Sequence, residues 1–409
     1  MGGDHTGLRR HANLASYALG NVLKYRTKSA MILAALVIST TLLCSVEFIR
    51  TGVEVDVASS VGEGPDLIVQ RLVGGRQAQI PAAWIENVSA TDGVRLATPR
   101  VWGYAEAGAG RLITIMGVNA TDYGNVFGAV GTSILAGGRF IEEGDTRKMV
   151  VGLGIVDMMA ASGSSLLIDV GSTLSLIAYN GSLIEFQVVG IFTSESRIYS
   201  YDLILTDLTS AGAVLGTDNI SYTDIAVWVE LGSNVNSVAL QMDTSISEAR
   251  ILTKGAMGTM MLRTYGDRAG IVALLWATVL LVVVLLAFSA SSAGSDEYRR
   301  EVGLLKALGF DTVDVLEIRM FEAITLGLLG ASLGISSAIV YDFVLNAPLV
   351  AGYMLGWNLV LLNGGIPLAI SLPTVFTVFA VALVPIMVAT VLPSWRNAIT
   401  EPDVVLRGV

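Results

Sequence analysis

The side chains best able to do chemistry are few in this sequence and poorly placed for it. Its two histidines, His5 and His11, both precede the first long apolar run, and its single cysteine, Cys44, falls inside that run. A Ser/His/Asp triad, a histidine-rich metal site or a cysteine nucleophile cannot be assembled from what remains. An intramolecular disulfide is excluded too. Carboxylates are plentiful, but no spacing singles out a pair for general acid and base work. No G-x-x-x-x-G-K-[ST] loop occurs, so the usual cradle for nucleotide phosphates is missing. The expected catalytic, cofactor-binding and metal-ligating sets are therefore empty, which points away from an enzyme. A net charge of −10 also speaks against a nucleic-acid partner.

The chemistry must then lie in how the elements are arranged. Of 409 residues, 53% are hydrophobic and only 15% charged, with a mean hydropathy of +0.65. A soluble domain is usually about a quarter charged. Membrane spans joined to an ordinary soluble portion give such a mixture. A membrane-crossing helix needs about 20 predominantly apolar residues. Four segments qualify: 29–49, 270–294, 320–345 and 374–392. Glu47 lies at the outer end of the first, Glu322 and Asp342 lie near opposite ends of the third, and Pro385 should kink the fourth. The first begins nearly thirty residues in and has no A-x-A-like cleavage site, so it reads as a retained span.

Orientation follows from lysine and arginine near the span ends. Arg9, Arg10, Lys24, Arg26 and Lys28 precede the first span. Arg299, Arg300, Lys306 and Arg319 lie between the second and third, and Arg396 and Arg407 follow the fourth. The 346–373 loop has neither residue type. Both termini and the 295–319 loop are thus expected in the cytoplasm, in a multi-pass protein of the cell membrane. The apolar stretch 349–362, with Tyr353 and Trp357, is too short to cross and suits an interfacial or re-entrant position. Residues 1–28 form an amphipathic segment expected to lie at the interface, and 393–409 form a short tail.

Residues 50–269 then fall outside the cytoplasm, as an extracytoplasmic insertion between the first two spans. Residues 51–268 hold about 13 basic and 23 acidic residues, which carries the whole net charge. Strand-like runs recur at 66–70, 111–117, 173–179, 186–192 and 225–230, with helices expected near 81–88, 154–161 and 235–246. The fold expected is a four-helix membrane protein with a large, strand-rich α+β domain, in two lobes with an inner one at about 130–216. Four N-x-S/T sequons, at Asn87, Asn119, Asn180 and Asn219, all lie in this domain and are candidate glycosylation acceptors.

The most specific stretch is in the 295–319 loop: Arg300, Glu301, Val302, Gly303, Leu304, Leu305, Lys306, Ala307, Leu308 and Gly309. Residues 295–308 can extend helically, with Gly309 suited to stop the helix and Asp311 and Asp314 suited to start the next one. Leu304, Leu305 and Leu308 form an apolar stripe, which on spacing alone could lie on the membrane or pack under the helices. The ten residues resemble the R-E-[IV]-G-[IL]-L-[KR]-A-[LV]-G signature of MacB/FtsX-type ABC transporter permeases, the type VII or mechanotransmission class. The third span, with Glu322-Ala323 and the glycine-rich 326–334, is similar to that family's. So are the ending Pro393–Arg407 and, in the insertion, 135–140, 148–154 and 186–191. Ser394 and Trp395 depart from the family's small and basic residues.

The resemblance implies that 300–309 is the coupling helix that docks on a separate ABC ATPase subunit, through which ATP and Mg²⁺ would act. It also implies pairing with a second permease copy or paralogue. Gly327, Gly330 and Gly334 allow close helix approach, in such a dimer or equally within one chain. The implied function is a permease that couples ATP hydrolysis to movement of its outer domain, exporting or extracting an amphiphile such as a lipoprotein, peptide, antibiotic or lipid, with room for an extracytoplasmic accessory protein. The alternative is a transducer without transport that activates an extracytoplasmic hydrolase or a signalling partner. A membrane-tethered enzyme or receptor would leave the loop signature unexplained.

Overall fold

A computed structural model describes residues 4–107, 112–127, 133–161, 168–194, 202–218, 220–293, 302–355 and 366–399. The chain divides into two compact units. One comprises Met1–Thr51, Asp267–Val350 and Leu368–Val409, and the other Gly52–Gly266 with Ala351–Pro367.

The first unit is helical. It holds an N-terminal helix, α1 (Asp4–Lys24), and draws on four long helices: the first, Arg26–Glu63; the second, Lys254–Ala293; the third, Thr312–Ile339; and the fourth, Leu372–Ile399. Among the described residues three of these are long and apolar enough to cross a membrane, over Arg26–Gly62, Thr312–Val344 and Leu372–Trp395. The span expected at 270–294 appears instead as a shorter apolar stretch, Gly270–Leu285, because side chains at 286 and from 289 onward lie outside the described residues. All four helices nonetheless meet in one apolar cluster of Ile32 and Leu36, Val283 and Ala287, Leu326, and Ile386 and Ala389. Their outward faces stay apolar, with Ile38, Leu274, Phe376 and Val388 exposed, as hydrocarbon rather than water would favour. The third helix ends in a π-turn, Val340–Val344, where buried Asp342 accepts a 2.6 Å hydrogen bond from Ser45 of the first helix.

Among the described residues the second unit is built on an 11-stranded sheet: nine strands follow the order Ala249–Thr253, Leu67–Val73, Asp224–Val229, Val94–Glu106, Leu112–Val118, Leu203–Asp207, Lys148–Gly152, Leu183–Thr193 and Ser133–Ile134, with Arg76–Ala78 beside the second and Thr173–Ile177 beside the eighth. The outer strands are β1 (Leu67–Val73), β4 (Val94–Glu106), β5 (Leu112–Val118), β12 (Asp224–Val229) and β13 (Ala249–Thr253). The nested strands are β6 (Ser133–Ile134), β7 (Lys148–Gly152), β8 (Thr173–Ile177), β9 (Leu183–Thr193) and β10 (Leu203–Asp207). The expected inner lobe is nested in sequence, but it shares one sheet with the rest. Parallel pairing of β5 with β10, Thr114 opposite Leu203, joins the two sets of strands. Alternation buries both faces. Ile113 and Ile115 of β5 enter one core with Met149, Val151 and Ile204, whereas Met116 and Val118 enter another with Val150, Leu203 and Leu205. Helices Trp84–Ser89 and Val235–Ser245 cover the outer end through Val88, Val238 and Met242.

Two glycines set how closely the nested segment folds. A Cβ on Gly190 would stand 2.4 Å from the carbonyl oxygen of Arg139, and one on Gly138 would stand 2.8 Å from the Cα of Gly190. The stretches 135–140 and 186–191, separate in sequence, thus meet backbone to backbone, with Leu135 N–H donating to Ile191 and Arg139 N–H to Val189. Beside them Asp145 accepts from the Arg139 guanidinium at 2.7 Å, the Lys148 ammonium at 2.5 Å and the Glu142 backbone N–H at 3.0 Å. The Arg139 hydrogen bond, chief among these, holds its carboxyl well below the usual carboxylate range, against the opposing effect of burial.

Candidate functional site

Residues 302–307 form a short helix just ahead of the third long helix. Arg300 and Glu301, which open the signature, lie outside the described residues. The helix stops at a left-handed Gly309, with φ of +92°. The Gly309 N–H donates to the carbonyl of Lys306, and the Phe310 N–H reaches back to that of Leu305, both near 3 Å. This is a Schellman stop, which needs a residue without Cβ strain at that position. Phe310 also packs against the cluster that contains Leu305, the apolar contact that usually accompanies such a stop. Two residues later Asp311 takes the N-cap position, and its backbone N–H donates to the Asp314 carboxylate at 2.9 Å. The turn between the helices is therefore fixed at both ends.

The leucine stripe divides. Leu305 turns inward with Val302, one helical turn away, and both are buried. Leu304 and Leu308 stand outward, 63% and 70% exposed, as a ridge at i and i+4. Neighbours in a helix differ by about 100°, so Leu304 and Leu305 cannot share one face. Gly303 is buried, Lys306 half-buried, and Ala307 and Gly309 are exposed.

The seat for the buried face comes from a part of the chain that the signature does not include. Leu14 and Ala18 of α1 pack with Val302, Leu305, Val315 and Ile318. Along the same side, one guanidinium nitrogen of Arg10, Nη2, donates to both oxygens of Asp314 at 2.7 and 2.6 Å, His11 meets Glu317, and Asn21 donates to Glu322 at 2.9 Å. Glu322 also pairs with Arg319 at 2.5 Å. The N-terminal segment, read from sequence as interfacial, thus lays one face on the third helix, while Tyr17, Leu19 and Leu23 remain exposed. The signal for this was present in sequence. Leu14, Ala18 and Asn21 recur at helical spacing, with Arg10 one turn before Leu14.

The three glycines all meet helices of the same chain. An added Cβ would stand 2.6 Å from Leu383 at Gly327, 2.8 Å from Leu36 at Gly330 and 2.5 Å from Thr40 at Gly334. Among the sequons, Asn87, Asn119 and Asn180 are exposed, and Asn219 lies outside the described residues. Two of these side chains already serve the local fold. Asn119 accepts from the N–H groups of Thr121 and Asp122, and Asn180 from the backbone and hydroxyl of Ser182. Among the described residues no group of histidine, cysteine or carboxylate side chains is placed to hold a metal ion.

Comparison with known proteins agrees with this division of the chain. The MacB-like periplasmic core domain family matches residues 29–245, and the FtsX-like permease C-terminal family matches 273–402. An uncharacterised ABC transporter permease of Methanocaldococcus jannaschii is 24% identical over 216 residues. That match covers 51% of this chain, and the chain spans about half, 52%, of the relative's own length. The periplasmic region of MacB from Actinobacillus actinomycetemcomitans is similar over 50% of this chain and 97% of its own, with 13% identity and a TM-score of 0.35. The extracellular domain of the transporter YknZ from Gram-positive bacteria is similar over 46% of this chain and 99% of its own, with 13% identity and a TM-score of 0.34. The family matches, which between them take in both the sheet domain and the long helices, are decisive: the chain belongs to the FtsX/MacB-like family of ABC transporter permeases.

Proposed function

We propose that this permease couples ATP hydrolysis by a separate ABC ATPase subunit to movement of its sheet domain, and that the ridge of Leu304 and Leu308 is the ATPase-docking surface. The observation that carries the reading is the exposed leucine pair on a helix otherwise locked in place. An exposed apolar pair at i and i+4 offers a partner the kind of anchor that fills a pocket at an interface. A helix stopped by Gly309, capped at Asp311 and seated on Leu14 and Ala18 transmits a push instead of absorbing it. The first and second long helices continue in sequence into the two ends of the sheet domain, so displacement in the helical unit has a covalent route outward. In this reading all four long helices span the membrane, both termini are cytoplasmic and two permease chains act together. The cargo is an amphiphile reached from outside the cytoplasm.

The test is a pull-down of the tagged permease in detergent with the ATPase encoded beside it, comparing the native chain with Leu304→Asp and Leu308→Asp. Both positions face outward, so the variants should keep the native size-exclusion profile and lose the ATPase. Each substitution should weaken capture by roughly tenfold or more, the scale of a buried apolar anchor. Full retention in both variants, with the fold intact, would place the docking surface elsewhere.

A further inference from the structure

The sheet domain contains a cavity of about 380 Å³. Its walls are the last turn of the first long helix at Val61, one face of the sheet at Trp102, Met116 and Leu252, and the start of the second long helix at Met257 and Met261. The size lies in the range of small-ligand pockets, which are mostly apolar with a few placed polar groups, and it is too small for a two-chain lipid. Methionine suits such a wall because its unbranched thioether adapts to different shapes.

Two carboxylates reach this cavity and differ in their partners. Asp224 is saturated: the Arg100 guanidinium donates to both of its oxygens at 2.7 and 2.9 Å, and the Trp102 indole N–H donates at 2.9 Å. Asp202 accepts one side-chain hydrogen bond, from the Thr114 hydroxyl at 3.1 Å, and no ion pair to it occurs among the described residues. Among the described residues that line the cavity, Arg100 and Asp224 cancel, which leaves Asp202 as their net charge. Burial pushes the Asp202 carboxyl above its ordinary range, with the Thr114 hydrogen bond opposing, as expected of a carboxylate short of a countercharge.

We infer that this cavity binds a small amphiphilic organic cation, its ammonium group held by Asp202 and its apolar body against Trp102, Met116 and the methionines of the second long helix. A cation in that place would supply the charge-assisted hydrogen bond that Asp202 lacks. An anion would meet an unpaired carboxylate, and a neutral apolar solute would leave Asp202 as it is. The inference goes beyond the coupling reading, and its test needs no ATPase.

The full chain is placed in phosphatidylcholine nanodiscs with Cys44, which is fully buried, replaced by alanine and Met261 at the cavity wall replaced by cysteine. Labelling of that cysteine by a polar maleimide is then timed with 4-phenylbutylamine or with 4-phenylbutanol, each variant's ligand-free rate serving as its own reference. The amine should protect at concentrations roughly tenfold below the alcohol. Asp202→Asn should abolish that difference, and Met257→Trp, which fills the cavity and leaves Asp202 in place, should abolish protection altogether. Equal protection by amine and alcohol, amine selectivity that survives Asp202→Asn, or no protection by either compound would overturn the inference.

Discussion

In the helical unit the closest contacts are steric. Gly334 lies so near the first long helix that an added Cβ would stand 2.5 Å from the Cβ of Thr40, and Gly330 and Gly327 repeat the arrangement against Leu36 and Leu383. In the sheet domain the most demanding buried contact is electrostatic: Arg100 and Asp224, directly opposite on β4 and β12, have side chains only 5% and 2% exposed. Helices in hydrocarbon gain nothing from excluding water and associate through close fit. A sheet domain in water can enclose a charge pair such as Arg100 and Asp224 when each partner answers the other, and leave apolar space beside it.

The contrast is sharpest where one partner of the buried pair is removed. Arg100→Met strips Asp224 of its guanidinium partner, leaves it accepting from the Trp102 N–H, and should destabilise the sheet domain by about 3–5 kcal/mol. Urea unfolding followed by tryptophan fluorescence would measure it, and a loss below about 1 kcal/mol would mean that the pair is not as closed to water as its geometry indicates. Gly334→Val asks the steric question. Overpacking there should cost about 1–3 kcal/mol, seen as a lower thermal transition of the helical unit in detergent, with the sheet domain unaffected. Equal loss in both units would end the division drawn above.

The smallest effect concerns acid. Because the Asp145 carboxyl is held low, its contribution is fully present above the unfolded carboxylate value, about 3.9, and is lost as pH falls toward the folded one. Asp145→Asn should therefore lower stability at neutral pH and flatten its dependence below about pH 4. Stability of native and variant protein measured between pH 3 and 7 would check this, and parallel curves would contradict it.

How much of this could be read beforehand depended on where the signal was local. The runs at 173–179 and 225–230 were legible because alternation and flanking turn residues lie within a few positions. β4 was not: Pro99 and Gly103 interrupt a 13-residue strand whose pairing with β5 and β12 tolerates them. The signature at 302–309 announced its helix and its glycine stop, but not which leucine faces outward. That depends on Leu14 and Ala18, nearly three hundred residues earlier. Nothing local in sequence distinguishes the carboxylates at 202 and 224; the pairing of β12 with β4 gives Asp224 its arginine, and that of β10 with β5 gives Asp202 the Thr114 hydroxyl.

The nested sheet also bears on how the protein is made. β1 pairs on one side with β13, Leu67 opposite Thr253, and on the other with β12. The short strand Arg76–Ala78 pairs early with Arg71–Val73, but β12 and β13 do not exist until most of the insertion has been synthesised. Such long-range pairing is slow to form and leaves strand edges open in the meantime. The second long helix begins at Lys254, immediately after β13. A nascent chain halted before residue 253 would therefore lack β13 and leave that edge of β1 bare and aggregation-prone, with the second long helix still to be made.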